Sequence, residues 1–194
     1  MKIGLLGELQ VLDDDEQDVV VTGAKLRALL AMLALQCGRA VPADQLVDGL
    51  WGPDSSAAAR NGLQGLVSKL RRALGSASLV ATRGGGYALD VPPESVDLHH
   101  FEQLVAAGRT RAGSGDLDRA IELFAEAESL WRGSALAEFA YEEFATADIT
   151  RISELRLAAM VETESSGRSQ SAASRQRAER DGAAGGSSPR KTAT

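Results

Sequence analysis

Residues Ala57 to Gly75 read AAARNGLQGLVSKLRRALG. Placed on a helix, Leu63, Leu66, Val67, Leu70 and Leu74 fall on one stripe. Asn61, Gly65, Ser68 and Arg72 lie opposite that stripe, with Arg60, Gln64, Lys69 and Arg71 on its flanks. From Arg60 to Arg83 the chain carries five Lys or Arg and no Asp or Glu. Arg, Lys, Asn and Gln are the side chains whose geometry suits phosphates and base edges. An ordinary amphipathic helix with a solvated basic face gives the same pattern, so the flanking segments decide between the two.

Upstream, Ile3 to Leu6 and Leu9 to Leu12 are short apolar runs around Gly7, and Val19 to Val21 is β-branched. The acidic stretch Asp13 to Asp18 reads as the turn of a small antiparallel sheet. It lacks the spaced oxygen ligands and the glycine of a calcium loop. Thr22-Gly23 then opens a helix with Leu26, Leu29, Leu30, Leu33 and Ala34 at core spacing, and a second helix spans Ala43 to Trp51. Gly52-Pro53-Asp54-Ser55-Ser56 ends it, and either serine is a candidate cap for the helix at 57. Downstream, Leu79 to Thr82 and Tyr87 to Leu89 flank Arg83-Gly84-Gly85-Gly86, which predicts a β-hairpin. The three glycines lack the Gly-Lys-Ser/Thr ending and the strand-to-helix setting of a nucleotide loop. They suit a tip that presses its backbone against another molecule.

Pro92-Pro93 marks a boundary, after which the pattern is helical. Leu98, Phe101, Leu104 and Val105 form one apolar stripe; Leu117, Ala120, Ile121, Phe124, Ala127 and Leu130 form a second. Gly108 and the run Ala120 to Phe124 are similar to a tetratricopeptide helical hairpin. A third helix is predicted from Glu142 to about Glu162, with Ile149, Ile152, Leu155 and Leu157 among its apolar positions. Residues 164–194 contain no Leu, Ile, Val, Met, Phe, Tyr or Trp, a composition that predicts a disordered tail.

The net charge of −6 is unevenly spread. Residues 1–92 carry nine basic and ten acidic side chains, residues 93–163 six and fourteen, and residues 164–194 six and three. Phosphate binding depends on a local basic face more than on the total, and 60–83 is such a face. The single Cys37 excludes an internal disulfide and points to a reducing interior. With no signal-peptide pattern and no apolar run of membrane-spanning length, the expectation is a cytoplasmic, nucleoid-associated protein without a membrane partner. His99 and His100 are neighbours and so cannot share a helix face as metal ligands. They read as a polar pair opening a helix. Nothing pairs a nucleophile with a base, so no enzyme, cofactor or metal is expected.

A sheet, three helices with the third basic, and a hairpin bearing an arginine at its turn make a winged helix-turn-helix, in which the third helix enters the major groove. The N-terminal sheet points to the OmpR-like variety. Leu6-Gly7, KLRALLAML from Lys25, Leu50-Trp51-Gly52, Ala59-Arg60-Asn61, VSKLRRAL from Val67 and Gly86-Tyr87-Ala88-Leu89 resemble the Streptomyces antibiotic regulatory protein family. VDLHHF from Val96 and Leu130-Trp131-Arg132-Gly133 resemble that family's bacterial transcriptional activation domain. The resemblance covers about residues 3–163. It implies an activator of a secondary-metabolite or antibiotic gene cluster. Such an activator binds promoter direct repeats, as a homodimer there, and recruits RNA polymerase holoenzyme. In the family a Thr, Ala or larger residue occupies the middle of the recognition helix; here it is Gly65. The family's activation domain also continues with further helices, so the chain reads as truncated.

The fold class expected is therefore an α+β winged helix-turn-helix domain over 1–92, an all-α tetratricopeptide-like partial activation domain over 93–163, and a disordered tail over 164–194. The expected DNA-binding residues are Arg60, Asn61, Gln64, Ser68, Lys69, Arg71, Arg72, Thr82, Arg83 and Gly84. A DNA-binding competitor without activation capacity, or a protein-interaction module built on the acidic helical half, is the alternative. An exposed apolar face is expected on the third helix of that half, where further repeats would pack.

Overall fold

The computed structural model describes residues 1–53, Ser55 and residues 57–184. The candidate cap Ser56 lies outside them. Strands β1 (Lys2–Gly4) and β2 (Gln10–Leu12) pair antiparallel with Ile3 opposite Val11. Helix α1 (Ala24–Leu35) follows, then β3 (Val41–Pro42), α2 (Ala43–Trp51) and α3 (Ala57–Ala73). Strands β4 (Val80–Arg83) and β5 (Gly86–Leu89) form the hairpin, and β5 also pairs with β3, giving the order β3-β5-β4. A methyl group at Gly86 would lie 2.0 Å from the Val41 carbonyl oxygen, so glycine is what lets β5 close onto β3. The turn residues Gly84 and Gly85 have φ of 54° and 79°, the left-handed pair that a two-residue hairpin turn requires.

The helical half consists of α4 (Asp97–Gly113), α5 (Leu117–Ser129) and α6 (Glu143–Ala184). Gly108 has the reason its sequence context suggested: a methyl there would meet Phe124 at 2.7 Å, so α4 and α5 touch backbone to ring. Trp131 packs edge-on against Phe101 at 5.4 Å, with the Arg156 guanidinium 4.2 Å from its ring centroid. Among the described residues no helix is long and apolar enough to cross a membrane.

Two expectations about the N-terminal region change. The run Ile3 to Leu6 stops being a strand at Gly4, because the next residues bond to the helical half instead. The Leu5 and Leu6 N–H groups donate to the two carboxylate oxygens of Asp97 at 2.6 and 3.1 Å. Their carbonyls accept from Leu136 and Arg132 N–H, each at 2.8 Å, and the Gly7 carbonyl accepts from Ala137. Leu136 makes its bond from a left-handed backbone, φ 51°, with its side chain buried. The run Val19 to Val21 forms no strand: a bridge joins Leu12 to the preceding Asp18, the Val19 N–H donates to the Val11 carbonyl at 2.8 Å, and Val20 is exposed.

Helix α1 is buried on more sides than its expected stripe. Ala28, Ala31, Met32 and Leu35 are covered along with Leu26, Leu29, Leu30, Leu33 and Ala34. It packs against α2, α3 and β5, and residues near its two ends bond to the helical half. There Arg27 Nε donates to Glu138 at 2.7 Å and Arg27 Nη2 to the Leu9 carbonyl at 2.7 Å. A helix apolar all round is one that must be covered all round, and the buried residues of both halves form a single cluster.

The tail expectation is corrected for residues 164–184. Helix α6 continues through them to Ala184; the remainder, 185–194, lies outside the described residues. Ala, Arg, Gln and Glu are good helix formers, and extending an existing helix avoids the cost of nucleation. Tertiary contacts add to this, since Ser166 is buried and the Gln170 amide donates to Asp118 on α5. Of the apolar positions expected on α6, Ile152 is buried, while Ile149 and Leu155 are partly buried. Of the four expected positions only Leu157 is exposed, so the expected open face is corrected: the exposed apolar side chains are Leu157 with Met160 and Val161, which the pattern does not single out.

His99 joins the halves as well. Its Nε2 lies 2.9 Å from the Ala34 carbonyl at the end of α1, and its Nδ1 lies 3.3 Å from Glu102. Two acceptors need two N–H donors, which only the imidazolium supplies. Hydrogen bonding to Glu102 accordingly raises the His99 pKa, opposed by burial and assisted by the Ala34 carbonyl. The folded chain then holds its proton to higher pH than the unfolded chain, whose histidines titrate near about 6.5. The contribution is fully present below that value and is lost as pH rises through the folded one. A urea midpoint that declines from pH 6 to 8, with the decline abolished in His99→Gln, is the expected result. Asp97→Ala leaves two backbone N–H groups and Arg132 without their acceptor. It is expected to lower the unfolding free energy by about 2–4 kcal/mol in denaturant titrations.

Candidate nucleic-acid interface

Leu63, Val67, Leu70 and Leu74 turn one face of α3 into the core, and Leu66 is partly buried beside them. That rotation leaves Arg60, Asn61, Gln64, Ser68, Lys69 and Arg72 exposed on the other side. Six of the ten expected residues therefore lie on one continuous surface. The two exposed glycines of this helix differ. A methyl at Gly62 would lie 3.1 Å from the Trp51 ring, so Gly62 seats the helix on that indole. A methyl at Gly65 would meet nothing within 4 Å, so no packing inside the chain demands glycine there.

Arg71 is committed elsewhere. Its Nε and Nη2 donate to the Val80 carbonyl at 2.9 and 2.6 Å, and Nη2 also donates to Thr82 Oγ1 at 3.0 Å. It is a strut that fixes the hairpin against α3, with Thr82 as its second anchor. Ser68 Oγ donates back to the Gln64 carbonyl at 2.9 Å, which leaves the hydroxyl free to accept. Arg83 ends β4 beside the turn, and its guanidinium folds back to Asp90 at 2.8 Å. Gly84 and Gly85 have no neighbour within 4 Å where a side chain would be and form the open tip.

Sequence reasoning missed the acidic partners. Arg60 is held by Asp44 of α2 at 2.6 Å, both side chains being about two-thirds exposed. Arg83 is held by Asp90. Two of the five basic groups between 60 and 83 are thus partnered by carboxylates from outside that acid-free stretch. Exposed pairs of this kind contribute about 0–1 kcal/mol, so a phosphate can replace the carboxylate at little cost. Trp51 and Trp131 both pack within the fold, Trp51 under the Lys25 ammonium and Trp131 against Phe101.

Comparison with known proteins agrees with this arrangement. Residues 16–89 match the domain family described as transcriptional regulatory protein, C terminal. Residues 96–181 match the bacterial transcriptional activator domain. This order of domains makes the chain similar to the Streptomyces antibiotic regulatory proteins. It is 35% identical over 167 residues to the regulatory protein DnrI of Streptomyces peucetius, covering 81% of this chain and 61% of DnrI. It is 33% identical over 145 residues to the transcriptional regulator RedD of Streptomyces coelicolor, covering 71% of this chain and 41% of RedD. A solved structure of Mycobacterium tuberculosis EmbR, in complex with a low-affinity phosphopeptide, superposes with a TM-score of 0.82 at 31% identity. That match covers 92% of this chain and 48% of EmbR. The chain thus spans between about two-fifths and three-fifths of the length of these relatives.

The geometry separates two neighbouring arginines. Arg71→Ala removes the bonds that tie the hairpin to α3 and is expected to cost about 1–3 kcal/mol of stability. Arg72→Ala, on the exposed face, is expected to change the melting temperature by less than the scatter between replicates. Equal destabilisation by both, measured by thermal unfolding, would show that Arg71 is not a strut.

Proposed function

We propose that this protein is a sequence-specific DNA-binding transcriptional activator, with α3 in the major groove and the Gly84-Gly85 turn against the adjacent backbone. The observation that carries this reading is the exposed, acid-free surface of α3, on which Arg60, Asn61, Gln64, Ser68, Lys69 and Arg72 lie together. Gln64 and Asn61 have the paired donor and acceptor that suit an adenine edge, and Arg72 suits a guanine edge or a phosphate. Lys69 is a point charge for the backbone. Arg83, once it exchanges Asp90 for DNA, reaches a phosphate or a narrow minor groove. Arg71 and Thr82 act at one remove, by holding the turn in place.

The family extends the proposal. The target is a promoter of a secondary-metabolite gene cluster carrying direct repeats, on which two copies sit side by side. The helical half then engages RNA polymerase. Matches to regulators such as DnrI and RedD support this, as does the rigid union of the two halves, which gives a copy bound at one repeat a fixed orientation along the duplex.

The test is duplex binding at several salt concentrations. Lys69→Ala is expected to weaken binding to every sequence and to flatten the salt slope by about one unit. Gln64→Ala is expected to cost about 1–3 kcal/mol on the cognate site and little on random DNA. Asp44→Asn, which releases Arg60, is expected to raise affinity for both by up to about fivefold. Indifference of all three variants would refute the assignment of α3 as the reading helix.

A further inference from the structure

Between the winged helix and the helical half lies a cleft of about 600 Å³, bounded by α1, α2, the Gly52-Pro53 turn and the first turn of α6. Its volume falls in the range of small-molecule sites, which favour the junctions of domains. The two walls meet at Gly49. A methyl there would lie 2.5 Å from Met32 Cε and 3.4 Å from Phe144 Cβ, so α2 reaches α6 only because the side chain is absent. Trp51 and Phe144, both partly buried, supply aromatic surface.

The charge of the lining is lopsided. Asp48, Glu142, Glu143 and Asp148 face a single ammonium, that of Lys25. Lys25 is already engaged, since it donates to the Leu50 carbonyl and sits 5.1 Å from the Trp51 ring centroid. Asp148 is paired with Arg151 at 3.4 Å. Among the described residues Asp48, Glu142 and Glu143 belong to no ion pair. They come from both walls, Asp48 from α2, Glu143 from the first residue of α6 and Glu142 from the residue before it.

We propose that this cleft binds an organic cation, an amine carried on a flat apolar or aromatic body, and that its occupant bears on the recognition helix through Trp51. Carboxylates from two walls recognise the ammonium group, and the Trp51 and Phe144 rings cover the apolar body. Trp51 is also the ring that a methyl at Gly62 of α3 would meet at 3.1 Å. An occupant that shifts the indole therefore shifts a contact of α3, and one that bridges Asp48 to Glu142 restrains α2 against α6. The site itself is independent of DNA binding; its coupling to α3 rests on the function proposed above.

The experiment titrates the ¹⁵N-labelled full chain with 4-phenylbutylamine, and separately with 4-phenylbutyrate as its anionic counterpart. The Trp51 indole N–H resonance, assigned with Trp51→Phe, is followed. The amine is expected to shift that resonance saturably and the carboxylate to leave it in place. Asp48→Asn combined with Glu142→Gln, both exposed positions whose loss leaves the core intact, is expected to weaken the amine about three- to tenfold. Equal responses to both probes, a shift confined to Trp131, or no effect of the double variant would overturn the site. With duplex bound, saturating amine is expected to change its affinity at least about twofold in the native chain and not in the double variant. No change there overturns the coupling alone. A chain that binds no duplex at all overturns the reading of α3 and leaves the indole titration to decide the cleft.

Discussion

The carboxylate of Asp97 determines how the two halves of this molecule meet. It accepts the Leu5 and Leu6 N–H groups and the Arg132 guanidinium together, and its side chain is only 14% exposed. A carboxylate taken that far from water needs several donors, and here they come from the first segment of the winged-helix half and from the loop after α5. The demand is mutual. The Leu5 and Leu6 N–H groups have left the β1–β2 ladder and would be buried without a partner if Asp97 moved. Gly4 belongs to the same arrangement, since a methyl group there would lie 2.0 Å from the Arg132 guanidinium. Leu136 holds a left-handed backbone, a conformation that costs about 1–2 kcal/mol, and its N–H completes the set by bonding to the Leu5 carbonyl.

That clasp explains why α1 is buried on both faces and why the apolar cores of the two halves run together. Relative domain motion is the default for small polar interfaces. This junction instead combines backbone pairing, the Arg27–Glu138 pair, the His99 bridge and a continuous apolar core. Helix α3 and the helical half therefore move as one body. For a regulator read as standing on DNA while touching a second protein, the consequence is geometric. The orientation of α3 in a groove fixes where α5 and α6 project, without a linker to average it out.

The fold was largely legible because its signals were local. The helical stripe of α3, the glycine turn of the hairpin and the Gly108–Phe124 helical pair each lie within a short window of sequence. What was not legible was long-range pairing. Leu5 and Leu6 carry a strand pattern, and nothing in their neighbourhood says that their N–H groups will find Asp97 ninety residues away. Arg71 looked equivalent to Arg72 because the two differ only in which side of the helix each leans toward, and only the hairpin's position distinguishes them. The tail was misjudged for a different reason. A lack of apolar residues predicts that a segment cannot start a structure alone, but α6 was already formed when it reached Glu164, and Ala- and Arg-rich sequence suffices to continue it. The extra burial of α1 was the one long-range fact the sequence did hold, in a run, LRALLAMLAL, too apolar for a helix with a wet side.

The charge distribution follows from the same union of halves. The acidic surplus of residues 93–163 disfavours phosphate over that part of the surface, in contrast to the acid-free face of α3 and the hairpin turn. Non-specific binding to DNA rests on electrostatics alone, whereas specific binding adds base-edge contacts that charge elsewhere on the molecule barely affects. If α3 is the DNA-reading surface, the acidic surplus, together with Asp44 and Asp90 holding two of the basic groups, lowers non-specific affinity. On the function proposed above, the difference between cognate and random sites is then left to Gln64, Asn61 and Arg72. On this reading the net charge of −6, which at first opposes a nucleic-acid partner, sharpens the choice among DNA sites by keeping weak encounters brief.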